Sequence, residues 1–463
     1  MVFDKQGNFV DGLKREQFAF KVEGKPREIT FFDRVTAGSR SEEAQLAAAR
    51  GTNAGTGPAP QPLDRGRTVL FFMDDLHLAA GSIGYARQML KRFIDREMKQ
   101  NDQVEIISSS GQLGFLQQLT NNKTVLIGAA DRLRSLELNL QSLDYPPMNE
   151  YEALAIEQNN TELLDFFVKK LTEREGRIPR LQAEQIIRGR ANQIIVESFS
   201  LVTRSFSTLR TAVKLAAALP GRKVMFFVSD GFLLDHNRSD NTLRLQAITD
   251  AAARSGVVIF AINARGLGAG LPDASVSLMA DPTGLLSRVN FGAIRATQDG
   301  LSALANDTGG RAFLNTNSMS GAIVTALKES STYYLLAWRP ENEDQRNPKF
   351  RRIEVSVVGR PDLVVRFRRG FGEPPEEIAK DKAKDAERQP PARKAPNDEI
   401  NSVLAAQYPT TAMPVAISLN FLDTAQDGGT LTTTIKVSTS SLALDPQPDG
   451  TIAAVDVAGL VLN

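Results

Sequence analysis

The chain has 463 residues, a formal charge of +1 and no cysteine. Without cysteine it forms no disulfide bond, no thiolate metal site and no cysteine nucleophile. A net charge close to zero provides no overall field that would attract nucleic acid or a membrane surface. No apolar run reaches the roughly 18 residues that a transmembrane helix needs. We therefore expect a globular protein of about two to four domains that binds no nucleic acid and has no transmembrane segment.

The first part of the chain predicts short β-strands followed by a linker. Residues 1–35 alternate apolar and polar positions, and Glu23-Gly24-Lys25-Pro26 predicts a hairpin turn between two of the strands. Residues 36–66 are rich in Gly, Ala and Pro, which is typical of a flexible linker. The chain starts directly in strand-like sequence without a signal peptide, so we expect either that the protein stays inside the cell or that its first part is missing. It also stops within an alternating pattern, so both ends resemble cut ends.

Residues 67–330 predict an α/β domain. Five apolar segments are candidates for buried parallel strands, at 68–74, 103–110, 223–230, 256–264 and 311–316. Helical periodicity lies between them, near 83–98, 124–137, 181–219, 240–254, 297–306 and 320–330. This alternation predicts a doubly wound, mostly parallel sheet of the Rossmann type. Two insertions interrupt it, a partly helical one near 140–180 and a Gly-rich one without clear periodicity near 268–296.

After the α/β domain, strand patterns return without helices. Residues 331–372 contain three strand candidates, and we expect them to pair with residues 1–35 in a small β-sandwich into which the α/β domain is inserted. Residues 373–400 are charged and Pro-rich, which predicts a second linker. Residues 401–463 alternate again and predict part of a C-terminal β domain.

Carboxylates follow two of the predicted parallel strands. Asp74 and Asp75 come after the first strand, with His77 two residues further on, and Asp230 comes after the third. Ligands of open parallel sheets bind beyond the carboxyl ends of the strands, where the strand order reverses. Buried carboxylates at neighbouring strand ends repel each other unless a cation, a shared proton or hydrogen bonds neutralise them. The sequence therefore predicts a site at this edge.

The order of several motifs resembles a von Willebrand factor A-type domain. The pieces are TVLFFMDD, QVEIISSSG, GRKVMFFVSDG and GVVIFAIN. The chain is more closely similar to a divergent bacterial group, common in acidobacteria, that is described as VWFA-related. This resemblance covers about residues 1–372 and adds VFDKQGNFVDGLKREQFAFKVEGKPREITFF, MDDLHL, LPGRKVMFFVSDGF, AINARGL, YYLLAWRP, FRRIEVSV and VRFRRGF.

The resemblance implies a metal-ion-dependent adhesion-type site that this sequence keeps only in part. Asp74 and Asp230 match the two acidic positions of the family's site and are candidate metal ligands. The positions of two family serines hold Leu76 and Leu78, which carry no oxygen. For the family's threonine ligand, the segment SFSLVTRSFS offers Ser200 and Thr203 as candidates. The cofactor that this site implies is a divalent cation, Mg²⁺ or Mn²⁺.

Asp75 and His77 leave two alternatives open. They are secondary candidate ligands, and a mixed carboxylate and imidazole set that includes Asp235 and His236 suits Zn²⁺ or Mn²⁺ better than Mg²⁺. Alternatively, Asp75 and His77 cap the following helix and bond to loop backbone. The sequence contains no nucleophile elbow, no phosphate-binding loop and no dinucleotide fingerprint.

Three functional hypotheses follow. The resemblance implies a non-enzymatic protein-binding or adhesion module outside the cytoplasm, in the bacterial envelope or on its exterior, whose partner is a protein. The second hypothesis is a metal-dependent hydrolase that uses Asp74, Asp75, His77, Asp230 and His236 as ligands and base. The third is an inert structural component of the envelope.

Overall fold

The computed structural model describes thirteen segments of the chain: residues 1–37, 66–136, 145–176, 178–219, 221–234, 240–267, 283–338, 351–367, 370–371, 415–424, 428–437, 445–447 and 450–452. The predicted linkers at 36–66 and 373–400 lie almost wholly outside these residues, as does the first half of the Gly-rich insertion. The chain divides into two compact units, Met1–Ala383 and Lys384–Asn463.

The centre of the first unit is a five-stranded sheet in which every strand pair is parallel. Its order is β6-β5-β7-β8-β9, with the bounds β5 Thr68–Met73, β6 Gln103–Ser108, β7 Lys223–Ser229, β8 Val257–Asn263 and β9 Ala312–Phe313. The chain adds β6 on one side of β5 and β7 on the other, so the strand order reverses between β5 and β7. The predicted strands are confirmed, although β9 is shorter than expected.

Helices cover both faces of this sheet. The helices of the first unit are α1 Ala80–Arg92, α2 Lys123–Arg132, α3 Glu150–Glu157, α4 Thr161–Glu175, α5 Arg180–Leu215, α6 Asn241–Ser255, α7 Leu285–Asp307 and α8 Met319–Ser330. Short turns of other helix types follow α1 at Phe93–Glu97 and α5 at Ala216–Ala218, and two more lie at Arg15–Gln17 and Gly114–Leu116.

Each face of the sheet has its own core. Helices α1, α2 and α8 pack on the face that contains Phe71, Phe226 and Phe260. On the other face Phe72 stacks on Phe227, which contacts Phe232, and Phe232 in turn contacts a phenylalanine of α5. These consecutive apolar residues point to opposite faces, and both faces are buried, which explains the continuous apolar runs of the sequence. The α/β class, with a Rossmann-like parallel sheet, is thus confirmed.

The inserted helices form a further core. Helices α3 and α4, the first half of α5 and the start of α7 bury a common set of aliphatic and aromatic side chains. Helix α7 begins at Leu285, so the expectation that residues 268–296 lack periodic structure is wrong for its last part. Leu285, Leu286 and Val289 pack into this core. Gly292 interrupts the apolar pattern within the helix and conceals the helix in the sequence.

Strands from the two ends of the first unit pair with each other. Those before the α/β region are β1 Val2–Phe3, β2 Phe18–Val22, β3 Lys25–Pro26 and β4 Phe31–Thr36, and those after it are β10 Thr332–Ala337, β11 Arg351–Val357, β12 Val364–Val365 and β13 Gly370–Phe371. They form three antiparallel sheets, with the orders β1-β12, β10-β4 and β13-β11-β2-β3. A shared apolar core joins strands of all three.

The described residues of the second unit form two antiparallel hairpins. One pairs β14 Val415–Thr424 with β15 Gly428–Val437, and the other pairs β16 Asp445–Gln447 with β17 Gly450–Ile452. Among the described residues of both units, no helix is long and apolar enough to cross a membrane.

Candidate functional site

The loops that follow β5 and β7 meet at the carboxyl edge of the parallel sheet. Asp74 directly follows β5, and its backbone N–H donates to the carbonyl oxygen of Val228 in β7 at 2.9 Å. Asp230 directly follows the last residue of β7, Ser229. Asp74 is 0% exposed and Asp230 is 2% exposed. The strand-order reversal therefore places two buried carboxylates side by side.

Asp74 accepts hydrogen bonds at both of its carboxylate oxygens. The Ser205 hydroxyl of α5 donates to Oδ1 at 2.9 Å, and the Ser229 hydroxyl at the end of β7 donates to Oδ2 at 2.8 Å. Nδ1 of His77 lies 2.9 Å from the same Oδ2. Three side chains from three different elements thus converge on one buried carboxylate.

The His77 ring is the aromatic neighbour of Asp74. Burial acts to raise the pKa of Asp74, but the charge and hydrogen bond of His77, together with the two serine hydroxyls, hold that pKa below its usual value. An ionised carboxylate only accepts hydrogen bonds, so the proton of the pair lies on Nδ1 of His77. The ring is itself almost buried, and it lies against Phe232 with the ring centroids 6.4 Å apart.

Asp230 lies at the start of helix α1. Its Oδ2 accepts the backbone N–H of Ala79, the residue before the helix, at 3.0 Å. Burial raises the pKa of Asp230, and the negative charge of Asp74 adds to this, while the bond from Ala79, the charge of Arg265 and the hydroxyl of Ser82 oppose it. Oδ1 has no hydrogen-bond partner of regular geometry within the described segments. Asp230 therefore binds the backbone at the start of α1. The four hydrogen bonds of Asp75 lead to the loop after β6, so Asp75 bonds to loop backbone as predicted but does not cap α1.

The backbone after Asp230 requires glycine. Gly231 has a φ of +94°, and a Cβ at this position would lie 2.8 Å from both the Cβ and the carbonyl oxygen of Thr297 in α7. Both the left-handed conformation and the contact exclude a side chain. The Ser-Asp-Gly sequence at the end of β7 thus reflects the close approach of α7 to this loop.

Asp75 points to the neighbouring strand β6 instead of the Asp74 cluster. Its Oδ1 accepts the Ser109 hydroxyl at 2.6 Å and the Ser110 backbone N–H at 3.0 Å. Its Oδ2 accepts the Ser110 hydroxyl and the Gln112 side-chain amide. Four donors therefore hold this buried carboxylate, and they fix the loop after β6 against the loop after β5.

The side chains of the other predicted site residues that the structure describes do not bond to the Asp74 carboxylate. Leu76 and Leu78 are buried, and Leu78 belongs to the core under α1. Ser200 is exposed on α5, and the Thr203 hydroxyl donates to Asn241 at 3.3 Å, so neither candidate for the family's threonine bonds to Asp74. Ser205, in the same helix, is the hydroxyl residue that contacts Asp74. Asp235 and His236 lie outside the described residues.

Among the described residues, the groups at Asp74 do not form a ligand set for a divalent cation. No three carboxylate or imidazole side chains group closely enough to hold a metal ion in the parts of the chain that the structure describes. Both oxygens of Asp74 already accept hydrogen bonds, and the leucines at 76 and 78 supply no ligand atom. Asp230 Oδ1 is the one carboxylate oxygen of the two strand ends that lacks a hydrogen bond among the described atoms.

Loop residues form a rim around the buried carboxylates of Asp74, Asp75 and Asp230, which we call the acidic floor. The segment after α2 returns to the edge, where Ser135 donates to the Leu78 carbonyl oxygen at 2.7 Å and Leu136 N–H donates to that of Asp75 at 2.9 Å. Arg134 is exposed beside them, and Leu136 is 44% exposed. After β8, Arg265 is exposed and Leu267 is 64% exposed. The described rim thus presents arginine and leucine side chains above buried carboxylates.

These features define the class of the protein as α/β with a Rossmann-like parallel sheet and a polar cluster at its strand-order reversal. No protein-family model matches the chain. The curated proteins contain no match to it either.

Proposed function

We propose that the first unit is a divergent von Willebrand factor A-like module that binds a protein partner through the carboxyl edge of its sheet, without catalysis. The observation that carries this proposal is the combination of a buried, hydrogen-bonded acidic floor with an exposed rim of Arg134, Leu136, Arg265 and Leu267. Exposed apolar and arginine side chains around a rigid site are typical of protein interfaces.

The rest of the proposal follows from the resemblance. The antiparallel strands at the two ends of the first unit act as a small β-sandwich that supports the module, and the protein works in the bacterial envelope or outside the cell. The described rim carries arginines while its acidic groups are buried, so the proposed partner presents an acidic segment with apolar side chains. Such a rim steers an oppositely charged partner and favours it over others.

A charge reversal at the rim tests this proposal. The full chain is immobilised and exposed to a detergent extract of the source bacterium's envelope, and the captured proteins are quantified by mass spectrometry. The double variant R134E/R265E is expected to lose a protein that the wild type captures, in EDTA as well as in Mg²⁺. The matched control is R96E/K99E, which reverses two exposed charges at the opposite edge of the sheet, before β6. Equal capture by both double variants contradicts the proposal.

One observation favours a hydrolase as the second candidate. Asp74 orients His77 through Nδ1, as a carboxylate orients a catalytic histidine. Within the described residues, the hydroxyls of Ser205 and Ser229 near this pair donate to Asp74 itself. Turnover of a phosphate or carboxylate ester by the wild type, lost in H77A, would favour this candidate over the binding module.

A further inference from the structure

The two buried carboxylates at the strand-order reversal need a compensating positive group. Carboxylates in a low-dielectric environment repel each other, and an uncompensated charge there is costly. In the family that the chain resembles, a divalent cation has this role. Here Asp74 and Asp230 keep the acidic pair, but the residues at Asp74 do not accommodate the metal.

Each carboxylate has its own compensating group in this chain. Asp230 accepts the Ala79 N–H at the first turn of α1, where the helix dipole presents partial positive charge. Among the described residues, Asp74 accepts two serine hydroxyls and lies 2.9 Å from the His77 ring. His77 reaches this position because the chain turns immediately after β5, with the N–H groups of His77 and Leu78 both donating to the Asp74 carbonyl oxygen.

We infer that the His77 imidazole takes the place of the metal ion at Asp74, so that this edge is assembled and used without a divalent cation. The ring supplies the donor that balances the carboxylate, and the buried leucines on either side of it offer no ligand oxygen. The inference concerns how the site is built and does not depend on which partner binds there.

The test is to remove the ring and to ask whether a metal ion can replace it. The H77S variant leaves space beside Asp74 and adds an oxygen to those of Asp74, Ser205 and Ser229. We expect the Tm of the full-length wild type to be the same in Mn²⁺ and in EDTA. The Tm of H77S is expected to be lower than that of the wild type in EDTA and to rise with Mn²⁺. Calorimetry should then detect Mn²⁺ binding to H77S and none to the double variant D74N/H77S.

A second pair of variants covers the case in which H77S does not fold. Asparagine places an amide N–H near the position of the histidine Nδ1, so H77N is expected to retain part of the Tm that H77A loses. Equal losses in H77N and H77A overturn the inference, because the ring would then act through packing alone. A wild-type Tm that rises with Mn²⁺, with a rise that D74N abolishes, overturns it as well. These measurements use no partner protein, so their failure is distinct from a failure of the capture experiment.

Discussion

At the scale of single residues, the carboxyl edge is a set of buried carboxylates with separate partners. Asp74, Asp75 and Asp230 are all buried, yet one is held by serines and a histidine, one by the loop after β6, and one by the start of α1. Adjacency in the sequence did not place Asp74 and Asp75 in one cluster, because successive residues after a strand leave in different directions.

Asp75 gives the first residue-scale prediction. The D75A variant removes an acceptor that serves Ser109, which is buried, and Ser110 and Gln112, which are half-buried. We expect it to lower the free energy of unfolding by about 2–4 kcal/mol, since each buried donor left unsatisfied costs on the order of 1–3 kcal/mol. Urea denaturation measures the change.

The control for D75A is D131A. Asp131 forms an ion pair with Lys91 in which both side chains are substantially exposed. Exposed pairs of this kind contribute about 0–1 kcal/mol, so D131A should unfold at nearly the urea concentration of the wild type. A D75A variant that is as stable as D131A would show that the bonds to Asp75 are not important for the fold.

At the scale of elements, helix α3 contains a buried acidic residue with a raised pKa. Asn149 and Glu152 form a capping box at its start, in which the Glu152 carboxylate accepts the Asn149 N–H at 2.8 Å. Glu152 is almost completely buried, and burial raises its pKa from 4.5 to about 7, partly opposed by this hydrogen bond. The helix is therefore capped by a group that is protonated in mildly acidic solution.

This pKa predicts a pH dependence of stability. Between pH 4.5 and about 7 the folded chain keeps a proton on Glu152 that the unfolded chain has released. The free energy of unfolding therefore falls as pH rises through this window, by on the order of 3 kcal/mol for the full shift. In E152Q the amide oxygen still accepts the Asn149 N–H but no longer titrates, so this part of the fall should disappear.

The measurement is urea denaturation at several pH values for the wild type and E152Q. The control is E162Q, at an exposed glutamate in the first turn of α4 whose ion pair with Arg288 is also exposed. E162Q should follow the pH profile of the wild type. If E152Q follows it too, Glu152 does not titrate as its burial implies.

At the scale of the whole molecule, the described ends of the first unit are joined across the α/β region. Strand β4 pairs with β10 and β2 with β11, although about three hundred residues separate the partners in sequence. Tyr334 in β10 also bonds to the segment between β1 and β2. Its hydroxyl donates to the Val10 carbonyl oxygen at 2.9 Å and accepts the Leu13 N–H at 3.0 Å, and its ring stacks on Phe9 and Phe32.

The hydroxyl of Tyr334 gives a prediction at this scale. The Y334F variant keeps the ring contacts but removes both hydrogen bonds, which leaves the Leu13 N–H buried without its acceptor. We expect the free energy of unfolding to fall by about 1–2 kcal/mol. The matched control is Y85F, because Tyr85 is 62% exposed on α1. Equal stability of the two variants would show that these bonds do not hold the N-terminal strands.

The sequence by itself determined the elements of the α/β region. Apolar runs predicted its five strands, and helical periodicity predicted its main helices, because burial on one or two faces leaves a local pattern along the chain. The sequence also indicated the two strand ends that carry the candidate site. The sequence did not predict the first half of helix α7, because Gly292 interrupts its apolar pattern.

Only the tertiary structure decided which groups meet Asp74 and Asp230. Ser205 and Ser229 bond to Asp74 across 131 and 155 residues, and Asp230 bonds to Ala79 across 151. No local pattern marks such contacts, because they depend on which face of α5 lies over the sheet and on how closely α1 approaches β7. A serine within a long helix looks like any other polar position until packing turns it towards a buried carboxylate.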